Sequence, residues 1–304
     1  MPDLHIAVDT GGTFTDIGVR RADGSLAVWK VPSTPHAPDE AVITGITGAL
    51  EREDAQPAQV TRLVHGTTVA TNTVLTRTGA RVGLLTTRGF RDVLAIAHQA
   101  RPSLYDNRVH RVPPLIPDEL IVDIDERLAA DGTVLTELTA DALIDAASAL
   151  ADLDLDAVVV SFLNAYVDPR HEQEAVAHLR EQQVAPVVIA ATDITAEMRE
   201  YDRTSTAAIN AYVQPKVSGY MGRLAAGIEE MGIGSRLWIM QSNGGLLNPE
   251  TAATHSARTV LSGLAGGVVG AGNWARHLGL DKVVSFDIGG TSTDIALIRD
   301  GEPD

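Results

Sequence analysis

Short apolar runs rich in β-branched residues alternate along the chain with segments of helical periodicity. The run from His5 to Val8 predicts a buried strand, and the run from Val283 to Ile288 predicts another near the far end of the sequence. Between them, Val82 to Leu85 and the stretch AVVVSFL predict further strands, and the segment Asp141 to Leu150 predicts a helix. Strands that alternate with helices are typical of an α/β fold.

Two further segments combine regular structure with charged or imidazole side chains. The stretch IVDIDERLAADGTVL predicts a hairpin with a DG turn, and Pro169 to Gln182 predicts a helix with proline at its first position. We expect the polar side chains of both segments to lie at the surface, namely Asp123, Asp125, Glu126, His171 and His178.

A domain boundary is predicted near residue 203. A helix is expected to start at Thr204 and to end at Pro215, because proline lacks the N–H group that a helix interior requires. We therefore divide the chain into a first domain over residues 1–203 and a second over residues 204–304.

One motif occurs twice. The sequence DTGGTFTD at residues 9–16 returns as DIGGTSTD at residues 287–294. In each copy an apolar run ends in aspartate, a Gly-Gly-Thr turn follows, and a second β-branched run leads away. Both copies therefore predict a strand-turn-strand hairpin.

Phosphate oxygens are a suitable ligand for such a turn, because glycine lets backbone N–H groups approach without an intervening Cβ atom. Threonine hydroxyls can add donors, and aspartate oxygens suit Mg²⁺ and its waters. Each copy is thus predicted to form half of a nucleotide-phosphate clamp. The candidates are Asp9, Gly11, Gly12, Thr13, Thr15, Asp16, Asp287, Gly289, Gly290, Thr291, Thr293 and Asp294.

An ordinary hairpin is the competing interpretation, since glycine, aspartate and threonine are common turn residues. For one copy alone the two interpretations carry equal weight. The shared pattern D-x-G-G-T-x-T-D in the same context at two places favours the phosphate clamp.

A third polar segment is HGTT, at residues 65–68. We predict a turn at His65 and Gly66 between a strand and a helix, where free N–H groups at the helix start could meet an anion. Thr67 or Thr68 could equally be a simple helix cap, because capping and anion binding use the same atoms. Both interpretations stay open at this point.

Composition narrows the possible functions. The 304 residues include 24 Lys and Arg against 40 Asp and Glu, a net charge of −16 with no basic run, which argues against nucleic-acid and anionic-membrane partners. The chain has no cysteine, which excludes disulfides, thiolate nucleophiles and cysteine-held metal clusters. Without a basic, apolar leader the sequence predicts a cytoplasmic protein.

Several segments together resemble the hydantoinase A and oxoprolinase family, which includes 5-oxoprolinase, N-methylhydantoinase and subunits of acetone and acetophenone carboxylases. The resemblance spans residues 5 to 298 in the family's order. The segments are DTGGTFTD, HGTTVATNTVLTRTGARVGLLTTRGFRDVL, EYDRTSTAAINAYVQP, QSNGGLL, SGLAGGVVGA and FDIGGTSTD.

The resemblance implies an actin-like ATPase fold, in which two ribonuclease-H-like lobes hold ATP and Mg²⁺ and each lobe offers one phosphate-binding hairpin. It implies that Asp9 and Asp287 hold Mg²⁺ through water, and that Asp16 and Asp294 position an ion or water. The phosphate-binding residues that the resemblance implies are Gly11, Gly12, Thr13, Gly289, Gly290 and Thr291. Further candidates for nucleotide binding, from the residue types alone, are Thr15, Thr293, His65, Gly66, Thr67 and Thr68.

The implied reaction transfers the γ-phosphoryl group of ATP to the carbonyl oxygen of a cyclic amide or ketone, which a partner B-type subunit then hydrolyses or carboxylates. An oligomeric assembly is expected. Two other functions stay open: a small-molecule kinase of the same superfamily, and a non-enzymatic module that responds to ATP. The substrate-facing residues are expected around His65 to Asn72 and His98 to Asn107.

Two features depart from the family. Leu264 stands where the family usually has proline, and a local change in backbone rigidity is expected there. Family members are about twice as long, so an N-terminal fragment with an incomplete second lobe is expected, and the 304-residue chain alone is expected to bind ATP weakly or not at all.

Overall fold

A computed structural model describes residues 3–106, 108–288 and 293–303 of the chain. The strands are β1 (Leu4–Thr10), β2 (Phe14–Arg20), β3 (Leu26–Pro32), β4 (Val60–Thr67), β5 (Val82–Thr87), β6 (Ile121–Ile124), β7 (Arg127–Leu128), β8 (Val134–Thr136), β9 (Ala157–Ser161), β10 (Val187–Ala190), β11 (Leu237–Met240), β12 (Leu246–Leu247), β13 (Lys282–Ile288), β14 (Thr293–Arg299) and β15 (Glu302–Pro303). The α-helices are α1 (Pro38–Arg52), α2 (Val69–Leu75), α3 (Val93–Ile96), α4 (Ala140–Ala151), α5 (Arg170–Glu181), α6 (Ala191–Ile194), α7 (Glu200–Glu230), α8 (Pro249–Thr254) and α9 (Ser262–Leu278).

These elements form two compact units, and the predicted α/β class is confirmed. The first unit comprises Met1–Arg77 and Lys216–Asp304, and the second comprises Thr78–Pro215. Among the described residues, no helix is long and apolar enough to cross a membrane.

The first unit is built on a six-stranded sheet with the order β12-β11-β4-β1-β2-β3. Strands β11, β4 and β1 are parallel, whereas β1, β2 and β3 form an antiparallel meander. Alternation along β1 buries Ile6 and Val8, and helix α1 packs over this face with the buried residue Ile46. The core therefore lies between the sheet and α1.

The duplicated motif forms two hairpins with the same register. In β1 and β2, Asp9 pairs with Asp16, and in β13 and β14 Asp287 pairs with Asp294. Strands β13, β14 and β15 form a separate three-stranded sheet against which α9 packs. The predicted strand-turn-strand pattern is confirmed for the strands of both copies. Gly289, Gly290 and Thr291 lie outside the described residues.

The second unit contains a four-stranded parallel sheet with the order β10-β9-β5-β6. All residues of β5 and β9 are buried, as expected for parallel strands that are covered on both faces. Helices α4 and α5 pack on this sheet, and the predicted DG turn joins the short hairpin β7–β8.

Two predicted element boundaries are wrong. Helix α7 begins at Glu200 instead of Thr204 and continues through Pro215 to Glu230. Proline costs one helical hydrogen bond, but the buried residues Val213 and Val217 on either side of it keep the helix packed. His65 and Gly66 lie within β4 instead of at a turn, because the parallel ladder with β1 continues to Thr67.

The surface placement of Glu126 and His171 is also wrong. Glu126 accepts hydrogen bonds from Thr87 Oγ1 and from Nδ1 of His171, the latter over 2.8 Å, and all three side chains are buried. The first turn of α5 covers the carboxyl ends of β5 and β6, so these polar groups satisfy one another. His178 is half-buried, whereas Asp125 is exposed and pairs with Arg88.

Two glycines of α1 make a matched test of how closely this helix packs on the sheet. A Cβ atom at Gly45 would lie 2.8 Å from Cδ1 of Ile17, whereas at Gly48 it would meet nothing within 4 Å. We expect Gly45→Ala to destabilise the unit by about 1–3 kcal/mol through overpacking, and Gly48→Ala to stabilise it by about 0.5–1 kcal/mol.

Urea unfolding followed by tryptophan fluorescence measures this difference, since Trp29, Trp238 and Trp274 all belong to the first unit. Equal shifts for the two variants would contradict the packing shown by the structure.

Candidate functional site

The candidate site is a recess of about 400 Å³ in the first unit, at the carboxyl ends of β1, β4 and β13. Asp9 and Asp16 of the first motif line it together with Asp287 of the second. Gly66 and the start of α9, at Ser262 and Gly263, complete this part of the wall. The structure thus brings three of the four candidate aspartates into one cavity.

Strand register explains why Asp9 and Gly66 meet. Strands β1 and β4 are parallel, and Asp9 is the direct partner of Gly66 across them. Carboxyl ends of parallel strands lie at the same edge of a sheet, where ligands of open α/β sheets commonly bind.

Glycines leave the room that the Asp9 carboxylate occupies. A Cβ atom at Gly66 would lie 2.6 Å from Oδ1 of Asp9, closer than real Cβ contacts allow, and one at Gly263 would lie 3.4 Å from the same oxygen. Any other residue at position 66 would therefore displace the carboxylate. The absence of a side chain at this position is a requirement of the site.

Asp9 faces the cavity, but the surrounding protein limits its hydration. This burial raises the pKa of Asp9 above its ordinary value of 3.8, and the carboxylates of Asp16 and Asp287 raise it further. Nζ of Lys30 lies 3.3 Å from Asp16, but both side chains are more than half exposed and solvent screens the pair. The recess consequently has a deficit of positive charge, which a bound cation would relieve.

Ser33 fixes the turn of the first hairpin through hydrogen bonds. Oγ of Ser33 donates to the carbonyl oxygen of Gly11 over 2.8 Å and lies 3.0 Å from Oγ1 of Thr15, while its N–H donates to the carbonyl of Thr13 over 2.9 Å. Thr15 is fully buried in this arrangement, whereas Gly12 and Thr13 are exposed. Ser33 fixes the carbonyl groups of the turn, and sequence reasoning missed it.

His65 is a core residue in this structure. Its Nδ1 lies 3.1 Å from the carbonyl oxygen of Val8, to which it donates, and its Nε2 accepts from the hydroxyl of Tyr220 over 2.5 Å. Burial lowers the pKa of His65 from 6.5 to about 4, so the imidazole is neutral at physiological pH. Both nitrogens are used within the protein, and the ring does not line the recess.

The two threonines after Gly66 tie α2 to the sheet. Oγ1 of Thr67 accepts from the N–H of Val69, and Oγ1 of Thr68 donates to the carbonyl oxygen of Thr10 over 3.0 Å. Neither side chain lines the recess. Thr293 is exposed at the start of β14, and Asp294 is half-buried opposite Asp287.

The start of α9 is a part of the recess that sequence reasoning did not assign to the site. The first intrahelical hydrogen bond runs from the N–H of Ala265 to the carbonyl of Leu261. The N–H groups of Ser262, Gly263 and Leu264 precede this bond and have no intrahelical acceptor. Oγ of Ser262 donates to the carbonyl of Thr67 over 3.1 Å and pins the helix start to β4. Partial positive charge at this helix end favours anions. The glycine-rich composition of this segment is the sequence signal that could have assigned it to the site.

The donor set suits a Mg²⁺-nucleotide pair. Within the part of the chain that the structure describes, no three His, Cys, Asp or Glu side chains converge as a metal site. Mg²⁺ in nucleotide enzymes is commonly held by one or two carboxylates together with substrate phosphates and water, which matches the separate aspartates of this recess. The free N–H groups of α9 would face the phosphates.

Two family models match most of the chain. A family model described as the hydantoinase/oxoprolinase N-terminal region matches residues 5–183, and one described as hydantoinase/oxoprolinase matches residues 203–304. The chain is 33% identical over 303 residues to the caprolactamase alpha subunit of Pseudomonas jessenii, covering 98% of this chain and 44% of that protein.

Two further relatives show the same partial coverage. The chain is 31% identical to 5-oxoprolinase 1 of Arabidopsis thaliana over 96% of its length and 25% of that protein. The nucleotide-free structure of acetone carboxylase, an enzyme of ATP-dependent acetone carboxylation, matches with a TM-score of 0.91 and 29% identity over 100% of this chain and 46% of that one. The chain spans less than half the length of these relatives.

Proposed function

The chain belongs to the hydantoinase/oxoprolinase family, and we propose that it carries the nucleotide-phosphate site of an ATP-dependent enzyme that activates a cyclic amide or a ketone. The observation that supports this most is the recess in which Asp9 and Asp16 of one motif copy meet Asp287 of the other. A chance turn motif would not bring its two copies to one cavity.

We further propose an actin-like arrangement of two lobes, divided near residue 203, in which each hairpin contacts the nucleotide phosphates. Asp9 and Asp287 would hold Mg²⁺, directly or through water, and Asp16 and Asp294 would orient water around it. The backbone N–H groups of Gly12, Thr13 and the first turn of α9 would bind phosphate oxygens, and the glycines and threonines of the second hairpin would do so from the other side.

Phosphoryl transfer depends mainly on positioning and charge neutralisation. In the proposed reaction the substrate's carbonyl oxygen attacks the γ-phosphorus of ATP, and the bond to the oxygen bridging the β- and γ-phosphorus breaks, so that ADP leaves. For a cyclic amide, water then adds to the activated carbon, the ring C–N bond breaks with the nitrogen leaving as the amine, and a second water releases phosphate from the resulting acyl phosphate. For a ketone, loss of an α-proton gives an enol phosphate, water removes its phosphoryl group as phosphate, and the carbon of the released enolate attacks carbon dioxide. A B-type partner subunit would carry out this second step within an oligomeric complex.

Hydrogen bonds of the surrounding residues hold the walls of the recess in place. His65 and Tyr220 link β4, β1 and α7 through buried hydrogen bonds, and Ser262 links α9 to β4. We assign no direct nucleotide contact to His65. Its role is to fix the end of β1, which presents Asp9.

Substrate-stimulated ATP hydrolysis tests the proposal. The complete enzyme, assembled with its B-type partner, is expected to hydrolyse ATP when hydantoin, 5-oxoproline, ε-caprolactam or acetone is supplied, and the Asp9→Asn variant is expected to lose about a hundredfold or more of that rate. A sugar that alone stimulates ATP consumption and yields a stable phosphate ester would show a kinase instead. Nucleotide-dependent partner binding without turnover would show a regulatory module.

A further inference from the structure

The peptide plane between Val260 and Leu261, directly before α9, is held by side chains from two other segments of the first unit. The N–H of Leu261 donates to Oγ1 of Thr71, in α2, over 2.8 Å. Oγ of Ser242, which follows β11, lies 2.6 Å from the carbonyl oxygen of Val260 and 2.7 Å from that of Arg258, and shares its proton between them. Both polar atoms of this peptide are therefore fixed from outside.

Leu261 has a backbone conformation that residues other than glycine avoid. Its φ of 61° and ψ of 21° lie in the left-handed region, where the Cβ atom crowds the following carbonyl oxygen. Its side chain is 49% exposed, so apolar burial does not account for this conformation. Such a conformation persists where surrounding contacts impose it. Because φ is the rotation between the preceding peptide plane and the rest of Leu261, the hydrogen bonds to that plane are the contacts that impose it.

The residues after Leu261 are fixed as well. Oγ of Ser262 donates to the carbonyl oxygen of Thr67 over 3.1 Å, and Ser262 and Gly263 line the phosphate recess. A Cβ atom at Gly263 would lie 3.4 Å from Oδ1 of Asp9, so the first turn of α9 passes directly beside this carboxylate. The left-handed turn at Leu261 consequently sets the direction in which α9 leaves, and with it the direction of the free N–H groups in its first turn.

This direction matters for a bound polyphosphate. Hydrogen bonds from backbone N–H groups to phosphate oxygens depend on angle and distance, and the partial charge of a helix end acts only within its first turn. A different φ at Leu261 would rotate the first turn of α9 and turn its donors out of the recess. Neither Thr71 nor Ser242 lines the recess, so each acts on a nucleotide only through α9.

We propose that Thr71 is a positioning residue of the phosphate site, which holds Leu261 in the left-handed conformation and so points the free N–H groups of α9 at the phosphates of MgATP. Ser242 assists from the other end of the same peptide. The inference rests on the proposed function, and it adds control of phosphate affinity by a side chain that does not touch the nucleotide.

The Thr71→Val variant removes the hydrogen-bond acceptor and keeps the shape of the side chain. In the complete enzyme we expect the Kd of MgATP, measured by isothermal titration calorimetry, to rise about tenfold, because the N–H groups no longer point at the charged phosphate oxygens. KM for MgATP is expected to rise with it while kcat is largely retained, since these donors bind the ground state and the transition state alike. Thr71→Ser keeps the hydroxyl and is expected to restore the affinity.

Thr73→Val is the matched control. Thr73 lies in the same helix, and its Oγ1 donates within α2 to the carbonyl oxygen of Val69 over 2.8 Å. We expect its MgATP affinity to be unchanged, and urea unfolding measures the stability of both variants. An affinity loss in Thr71→Val no larger than in Thr73→Val, no restoration by Thr71→Ser, or a loss of stability with unchanged MgATP affinity would each overturn the inference.

The Leu261→Gly variant tests the role of the backbone conformation. Glycine adopts the left-handed conformation as readily as any other, so its conformation depends less on the hydrogen bond to Thr71. In the Leu261→Gly background, we expect Thr71→Val to raise the Kd of MgATP about threefold or less instead of about tenfold, as residues that act through one contact are not additive. Equal effects of Thr71→Val in both backgrounds would contradict the proposed mechanism.

The inference and the proposed function fail in different ways. A complete enzyme that binds no MgATP, or binds it equally well after Asp9→Asn, would refute the proposed function and the inference with it. MgATP binding that depends on Asp9 but is indifferent to Thr71→Val would leave the phosphate site in place and refute only the positioning role of Thr71.

Discussion

Replacing Gly66 by alanine is expected to lower ATP consumption by the complete enzyme about a hundredfold while the first unit still folds. The added Cβ atom would lie 2.6 Å from Oδ1 of Asp9, so the carboxylate must rotate away or β4 must shift. Displacing a catalytic group by about 1 Å can cost about a hundredfold in rate. We expect a loss of that size in kcat/KM for ATP, together with weaker MgATP binding.

Gly263→Ala is the matched control for this prediction. Its Cβ atom would lie 3.4 Å from the same oxygen, an ordinary van der Waals contact, so we expect a loss of about tenfold or less. Tryptophan fluorescence confirms folding of both variants, because the three tryptophans report on the unit that carries the recess. Near-normal activity of Gly66→Ala would mean that the position of Asp9 does not matter for the reaction.

The second large expected effect is a loss of stability in mild acid through His65. The pKa of His65 is about 4 in the folded protein and about 6.5 unfolded, so between these values the unfolded chain binds a proton that the folded chain does not. Stability is therefore full above pH 6.5 and falls as the pH drops towards 4. The complete loss amounts to about 3 kcal/mol, at about 1.4 kcal/mol per pH unit.

Urea unfolding of the first unit at a series of pH values between about 7 and 4 measures this slope, again by tryptophan fluorescence. His65→Gln removes the titration and is expected to lower the stability at neutral pH but to flatten the acid slope. The comparison between the two proteins is needed because Asp9, in the same unit, has a raised pKa, which acts in the opposite direction. An equally steep slope in His65→Gln would assign the acid sensitivity to other groups.

The Tyr220→Phe variant tests the hydrogen bond between Tyr220 and His65 separately from the titration of His65. The variant loses the donor to Nε2 of His65 and leaves this nitrogen unpaired in the core. We expect destabilisation of about 1–3 kcal/mol at neutral pH while the acid slope remains, since the imidazole is still buried and neutral.

The local sequence pattern was sufficient to predict the strands of the duplicated motif. The alternation in Leu4–Thr10 and the turn residues after it predict a hairpin, and the second copy has the same register because it has the same spacing. The same reasoning failed at His65 and Gly66, where glycine and threonine indicated a turn. Pairing with β1, more than fifty residues away in the chain, keeps this segment extended as far as Thr67.

Buried polar groups were the least predictable feature. Glu126 and His171 are residue types that usually lie at the surface. They are buried and hydrogen-bonded to each other here because α5 packs over the ends of β5 and β6. His98 and Asp202 are about a hundred residues apart, and no local signal links them. Their pairing depends on where α7 begins, which sequence reasoning placed four residues too late.

The sequence by itself determined that this chain has an α/β fold, that it carries two copies of an aspartate-ended hairpin, and that it resembles the hydantoinase/oxoprolinase family. These properties depend on residues close together in the chain, where periodicity and turn chemistry act. Only the tertiary structure decided that Asp9, Asp16 and Asp287 share one recess with the start of α9, and that His65 supports this recess from within the core. The physical reason is that such contacts depend on strand pairing and helix packing between distant segments, and no local pattern records them.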